Sequence, residues 1–491
     1  MTRRLSNETL ASLPAAVARP AYDRSAVRPG IVHLGIGAFH RAHQAVYTDD
    51  VLAAGDPRWG ILGASLRSPD TRDALKPQDG LYALDVRDGE GERLRVVGAV
   101  QDVLVAPEDS GRLLAAMSAP DTRIVSLTVT EKGYCHAPAT GELDEAHPDI
   151  RHDLDNPGAP RSAPGFIVEA LARRRAAGLS PFTVLSCDNL PSNGVTAKRV
   201  LVRLARLRDP DLGAYLDGEL ACPSSMVDRI VPATTEADRT RIAERLGCED
   251  AWPISTEPFT QWVVEDHFPA GRPDWAMAGV TFVRHVEPYE LMKLRLLNGS
   301  HSTLAYLGVL SGRETVADAI ADPGIAGVVR GLMDEEAGPT LPPLPGLDLA
   351  AYKASLIQRF RNPSLKHRTA QIAMDGSQKL PQRLLGPVRD RLKAGASIRR
   401  LSLGVAAWMR YATGIDEQGR PIEVKDPLAA ELRRRADGAG LAAKPLAEAL
   451  MSVEAIFGAD LPRDPRFVEP VTQALDSLLI RGAAATARAY A

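Results

Sequence analysis

Apolar and polar positions along the chain fall into two regimes. In the first, short apolar runs that read as strands alternate with stretches of helical period. After a proline-rich entry, "GIVHLGIG" (Gly30 to Gly37) reads as a buried strand ending in glycines, and "AFHRAHQAVYTDDVLAAG" carries helical spacing as far as Gly55. "WGILGASL" (Trp59 to Leu66) predicts a second strand, and the Asp88-Gly89 pair within "LYALDVRDGEGERLRVVGAV" predicts a hairpin. Arg123 to Val129 and Phe182 to Asp188 add strand-like runs, interleaved with helical stretches over Gly165 to Ala177 and Ser192 to Leu207. Alternation of this kind builds a largely parallel sheet with helices on both faces. From about Tyr289 the strand signals thin out and helical period dominates to the end. The expected fold is α/β, with a largely parallel sheet in an N-terminal domain over 1–286 and a mainly α-helical C-terminal domain over 287–491.

Composition narrows the function classes. With 491 residues the chain exceeds what one hydrophobic core usually serves, which agrees with two domains. A net charge of -3 gives no general attraction to nucleic acid or to anionic lipid, and the Arg173 to Arg175 triplet reads as a solvated helix face. The first twenty residues lack an apolar core of signal-peptide length, and no stretch approaches the roughly 18 apolar residues of a membrane span, so a cytoplasmic enzyme or binding protein is expected. Four cysteines (Cys135, Cys187, Cys222, Cys248) lie far apart with no C-x-x-C pair. Reduced thiols and no metal site are the expectation, with Cys187 a small core residue rather than a nucleophile.

Candidate chemistry begins at the glycines. Gly35 and Gly37 fit the first two glycines of the dinucleotide-binding turn, where missing side chains let the backbone of the turn and of Ala38 and Phe39 approach a pyrophosphate. His40 stands at the place of the third glycine. A tight turn that serves packing alone is the competing reading. The acidic residue that would grip the NAD ribose at the end of the next strand is missing from "GASLRSPD", where Arg67 could accept a 2′-phosphate, so NAD is expected with NADP possible.

In "KLRLLNGSHSTLAYLG", Lys293, Asn298 and His301 share one broad face of a regular α-helix, Lys293 and His301 roughly 80° apart and Asn298 roughly 60° beyond. Each alone has a mundane explanation: a snorkelling lysine, a hydrogen-bonded asparagine, a satisfied core histidine. Together they suit alcohol oxidation. Lys293 would be the base, its ordinary pKa of about 10.4 depressed by burial and a positive nicotinamide. Asn298 would donate to the alkoxide, and His301 would bind a hydroxyl or assist the proton. The Tyr289-x-x-x-Lys293 spacing matches the acid/base pair of short-chain dehydrogenases, but it lies much too far behind the glycine turn for that family.

Seven segments in this order, "GIGAFHRAHQAVYTDD", "SLTVTEKGY", "SCDNLPSNG", "MVDRIVPAT", "EPFTQWVVEDHF", "KLRLLNGSHSTLAYLG" and "AMDGSQKLPQR", give the chain a resemblance to the mannitol dehydrogenase family over nearly its whole length. The resemblance implies a Rossmann-type N-terminal domain that binds the dinucleotide, a mainly helical C-terminal domain that carries substrate and catalysis, and metal-independent hydride transfer with Lys293 as acid/base and Asn189 and Asn298 as the oxyanion-stabilising pair. It further implies His301, Asp228 and Lys379 as substrate contacts and Glu290 either on the lysine's proton path or in a surface ion pair. Within the family, "HRTAQIAMDGSQKLPQRLL" is most similar to the fructuronate reductase (D-mannonate oxidoreductase) branch, since mannitol 2-dehydrogenases tend to carry arginine where Gln371 stands. A uronate carboxylate would be met by Lys379, Arg383, His367 and Arg368, unless some of these neutralise helix ends or hold cofactor phosphates. The implied partner is thus a small sugar acid, or otherwise a polyol such as mannitol, bound in a cleft between the domains of a monomer or weak oligomer. A nucleotide-binding redox sensor without turnover is the alternative of another class.

Overall fold

Eleven strands of the computed structural model, which describes residues 3–137, 140–344 and 346–491, all precede Glu287. They are β1 (Pro29–Leu34), β2 (Gly60–Ser65), β3 (Tyr82–Arg87), β4 (Glu92–Val97), β5 (Val100–Val105), β6 (Ile124–Leu127), β7 (Thr183–Ser186), β8 (Ser225–Asp228), β9 (Ile254–Thr256), β10 (Gln261–Glu265) and β11 (Thr281–Val283). The chain divides into two compact units, Met1–Glu287 and Pro288–Ala491.

The main sheet of the N-terminal unit has the order β5-β2-β1-β6-β7, with every neighbouring pair parallel. Its central strands are buried on both faces because successive side chains enter different cores. Ile31, Ile124 and Leu185 join Val51 and Trp59 on one face; their chain neighbours Val32, Val125 and Val184 join Leu113 and Phe166 on the other. This is a Rossmann-type sheet. The strand order reverses direction at β1, so the crevice lies outside the carboxyl ends of β1 and β6, where Gly35 to Gly37 and Thr128 to Thr130 follow the strands.

Two small sheets complete the unit. The predicted hairpin is β3 and β4, turned where Asp88 Oδ1 accepts from the Glu90 and Gly91 N–H groups, with β9 parallel to β3. In the other, β10 runs antiparallel to β8 and parallel to β11.

Three expectations need correction. The helix after the glycine turn is broken at His43 into Ala38–Ala42 and Gln44–Ala53, with His43 Nε2 at 3.0 Å from the Gln261 carbonyl and its ring edge-on to Trp262. The Arg173 to Arg175 triplet is no uniform solvated face. Arg174 is buried, donates to the Ser180 and Ala119 carbonyls and covers the Phe182 ring, while Arg173 pairs with Glu169 at 2.6 Å. The third lies in the C-terminal unit.

That unit is helical among its described residues. Its centre is the helix Gly299–Leu310, buried on nearly every side although its first turn carries Ser300, His301, Ser302 and Thr303. The helix does not continue regularly from its approach: Glu287–Met292 is α-helical, Lys293–Asn298 is a π turn, and α geometry resumes at Gly299. Bonding from i to i+5 brings residues five apart nearly onto one face, so Lys293 and Asn298 are closer in angle than a regular helix would put them.

Candidate active site

Gly35 has φ +89°, and a Cβ there would stand 2.3 Å from the Thr128 carbonyl oxygen. Only glycine lets β1 turn so tightly against the end of β6. Gly37 is exposed and caps the helix Ala38–Ala42; a Cβ on it would meet nothing nearer than the Gly35 carbonyl at 3.8 Å. The turn is therefore closed beneath and open above, as a cradle for a pyrophosphate requires. Ala38 is exposed, and half-buried Phe39 stacks on His43 at 5.0 Å.

His40, in place of the third glycine, is buried and stacked on His33 of β1, centroids 3.4 Å apart. Its ring fills the helix-strand gap that a glycine would close. Burial holds both imidazoles below their ordinary value, His33 at about 3. His33 is anchored to Ser126 Oγ (2.8 Å) and Thr128 Oγ1 (2.9 Å), and Thr128 Oγ1 donates to the Gly35 carbonyl at 2.7 Å. Arg67 follows β2 on the surface.

At the end of β7 the segment "SCDNLPSNG" divides its labour. The Asp188 side chain is buried and accepts from the N–H groups of Val129 (3.1 Å) and Thr130 (2.9 Å) and from the Tyr134 hydroxyl (2.8 Å). Asn189 is exposed. Buried Asn193 bonds both backbone groups of Ser225 at the start of β8, and a Cβ on Gly194 would overlap the Cys222 carbonyl at 2.3 Å. Cys187 is a buried thiol pushed well up by burial, which suits packing. At the other end of β8, Asp228 is 3% exposed, and the following Arg229 ties the strand to the Ala42 and Glu257 carbonyls.

In the C-terminal unit Lys293 is 8% exposed on the π turn, with Glu290 and Asn298 half-buried. A Cβ on Gly299 would stand 2.9 Å from the Arg383 carbonyl, so this glycine lets the turn lie against the segment that carries Arg383. His301 stacks on Phe360 and stands edge-on to His367, each at 5.1 Å. Burial, and then His367, Arg383, Arg359 and Lys379, hold its imidazole well below the ordinary value. Arg383 donates to Ser302 Oγ at 3.1 Å, and Lys379 to the carbonyls of Ile372 and Met374. The unit thus gathers Arg359, Arg383, Lys379 and two histidines in one region. Arg368 is exposed.

Two family models cover most of the chain: a mannitol dehydrogenase Rossmann domain over residues 29–277 and a mannitol dehydrogenase C-terminal domain over 285–479. The chain belongs to the mannitol dehydrogenase family. It is an oxidoreductase acting on a CH–OH group.

Among relatives of this mannitol dehydrogenase family member, the D-mannonate oxidoreductase of Escherichia coli (strain K12) is 51% identical over 472 residues, 95% of this chain and 96% of that protein. A mannitol 2-dehydrogenase of Phaeosphaeria nodorum is 43% identical, covering 100% of this chain and 86% of that protein. The ternary complex of Pseudomonas fluorescens mannitol 2-dehydrogenase with NAD and D-mannitol has a similar structure, with TM-score 0.91 and 39% identity over 99% of both chains.

Residue by residue, the family member places Asn189, Asp228 and the glycine turn in its N-terminal unit, and Glu290, Lys293, Asn298, His301, His367, Lys379 and Arg383 in its C-terminal unit. Sequence reasoning passed over Asp188, Asn193 and Arg359. Arg359 is 8% exposed at the end of the helix Leu349–Phe360, on the side of buried Tyr352 and Leu356, while Arg361 two residues on turns to the opposite side and is exposed; the helical period of this stretch was the signal that could have found it. A cavity of about 700 Å³ in the N-terminal unit, lined by Lys198, Cys222, Glu265, His267, Arg284 and His285 among others, includes none of these residues.

Proposed function

We propose that the protein catalyses reversible hydride transfer between NAD(H) and a sugar acid, interconverting D-mannonate and D-fructuronate in the cytoplasm, with Lys293 as the acid/base. The observation that carries the substrate is the 51% identity to a D-mannonate oxidoreductase over nearly the full length of both chains. The cations around His301 support it, since a uronate brings a carboxylate and a polyol does not.

The glycine turn fits a dinucleotide: Gly35, Gly37, Ala38 and Phe39 would hold it, with Arg67 near the ribose that separates NAD from NADP. When bound, NAD(H) takes up or supplies the hydride. The chain's own residues do the rest. In the reduction, the amides of Asn189 and Asn298 donate to the ketone oxygen, and the Lys293 ammonium passes its proton to that oxygen as negative charge builds there. In the oxidation the neutral amine accepts the hydroxyl proton, and Glu290 lies on its path to solvent. His301, kept neutral, hydrogen-bonds a substrate hydroxyl, and Asp228 accepts from another. Arg383, Arg359 and Lys379 face the carboxylate with His367 beside them, and Arg368 guides its approach from the surface.

A second reading, the same chemistry on D-mannitol and D-fructose, is favoured by the structural likeness to mannitol 2-dehydrogenase. Assay of D-mannonate and D-mannitol with NAD and NADP separates the two. The first reading expects turnover of D-mannonate with NAD and little of D-mannitol; the reverse preference sinks it.

A further inference from the structure

We propose that Asp188 is the positioning residue that presents Asn189 to the substrate oxygen, an inference that rests on the reading of Asn189 as an oxyanion donor. Its carboxylate collects three donors from the segment after β6: the Val129 N–H (3.1 Å), the Thr130 N–H (2.9 Å) and the Tyr134 hydroxyl (2.8 Å). Its backbone carbonyl accepts from Asn193 Nδ2 at 3.0 Å. Asn193 is in turn stitched to β8, donating to the Ser225 carbonyl (2.8 Å) and accepting from its N–H (2.9 Å). The residue that precedes Asn189 is therefore held toward β6 through its side chain and toward β8 through its carbonyl. Asp188 is buried and Asn189 exposed, so the anchor and the working amide occupy opposite sides of one short stretch.

Backbone strain marks the same place. Thr130 has φ 63° and ψ 168°, a region open to glycine and hostile to a β-branched residue. Strain of this kind costs about 1–3 kcal/mol and persists only where the surroundings over-determine it. Here the restraints are the Thr130 N–H bond to Asp188, the Gly133 N–H bond to the Thr130 carbonyl (3.0 Å), and the return of Tyr134 to the same carboxylate. Removing the acceptor releases the Thr130 N–H and one of the Tyr134 hydroxyl contacts together, and leaves the peptide that carries Asn189 held from the β8 side alone. Burial pushes the Asp188 carboxyl up to about 6 against the pull of these hydrogen bonds, so the group is held at a cost.

A double-mutant cycle tests the assignment. We would measure kcat and KM for D-mannonate with NAD in the wild type, Asp188→Asn, Asn189→Ala and the double variant. A donor displaced by an ångström costs about 10²-fold, so Asp188→Asn should lower kcat by that order with KM little changed. In the Asn189→Ala background the same change should cost almost nothing, because the group it positions is gone. An equal loss in both backgrounds, or wild-type kcat in Asp188→Asn, overturns the inference while the reading of Asn189 stands. Wild-type kcat in Asn189→Ala overturns that reading and the inference with it. Should Asp188→Asn fail to fold, Tyr134→Phe removes one donor and leaves the carboxylate. It should lower kcat by a smaller factor, again only when Asn189 is present, and equal losses in both backgrounds overturn the proposal.

Discussion

The imidazole of His301 stands edge-on to that of His367, 5.1 Å between centroids, and lies stacked on Phe360 at the same separation. Burial is the main reason His301 stays neutral, and the neighbouring His367, Arg383, Arg359 and Lys379 add to it. In the proposed site, a ring so placed would meet a substrate through hydrogen bonds and not through charge.

The first prediction is loss of stability in mild acid. His33 and His367 have folded values of about 3 and about 4 against 6.5. Between those limits the unfolded chain binds more protons, so their contribution is complete above pH 6.5 and lost as pH falls toward 4 and then 3. At pH 5, one histidine kept neutral costs about 2 kcal/mol. Asp188 runs the other way between 3.8 and about 6, offsetting part of one such term. The urea midpoint should fall from pH 7.5 to pH 5, and His367→Gln should flatten the decline. A midpoint that does not change with pH contradicts this.

Gly299→Ala tests the packing of the π turn. The added methyl would stand 2.9 Å from the Arg383 carbonyl, backbone that can yield only by moving the helix. Overpacking of this kind costs about 1–3 kcal/mol, read as a lower melting temperature. Because the turn carries Lys293 and Asn298, kcat should fall further than stability does. Unchanged kcat in a destabilised protein would show that the turn's placement is irrelevant to turnover.

Arg383→Leu tests carboxylate recognition. Losing a charge-assisted pair in a desolvated site costs about 2–5 kcal/mol, so kcat/KM for D-mannonate should drop by at least about 30-fold, mostly through KM. Weak residual turnover of a neutral polyol should not suffer that loss. Equal losses on both substrates would remove Arg383 from carboxylate binding.

Gly35→Ala combines a left-handed backbone with a methyl 2.3 Å from the Thr128 carbonyl, and should destabilise the N-terminal unit by about 3 kcal/mol. Gly37→Ala adds its methyl into open space and should fold normally. If that space receives a pyrophosphate, fluorescence titration with NADH will show weakened binding in well-folded Gly37→Ala; unaltered binding would move the cofactor elsewhere.

The parallel sheet was legible because β1, β2, β6 and β7 are apolar runs that feed two cores, a pattern that survives without neighbours in view. β8 (SMVD), β9 (IST) and β11 (TFV) are as short as β6 and β7 or shorter but lack the longer apolar run around them that made those two visible, and owe their existence to pairing with distant partners. The break at His43 was hidden for a similar reason: its ring bond to Gln261 comes from far along the chain and overrides a good helical pattern. At the candidate site, Lys293, Asn298 and His301 were visible as polar groups in an apolar stretch. The π turn that rearranges them was not, since i to i+5 bonding leaves no trace in residue type. Asp188 stood next to a named candidate but reads as an ordinary strand-end aspartate until the loop it clasps is folded against it.

The most direct test of the account is the turnover of Lys293→Ala with D-mannonate and NAD, followed as NADH formation in a single-turnover experiment between pH 6 and 10. Loss of a general base should slow the step by about 10²–10⁴-fold, remove the pH dependence contributed by the lysine, and leave NADH binding intact. Turnover within a few-fold of the wild type, with the same pH dependence, would contradict the assignment of Lys293 as the group that moves the proton.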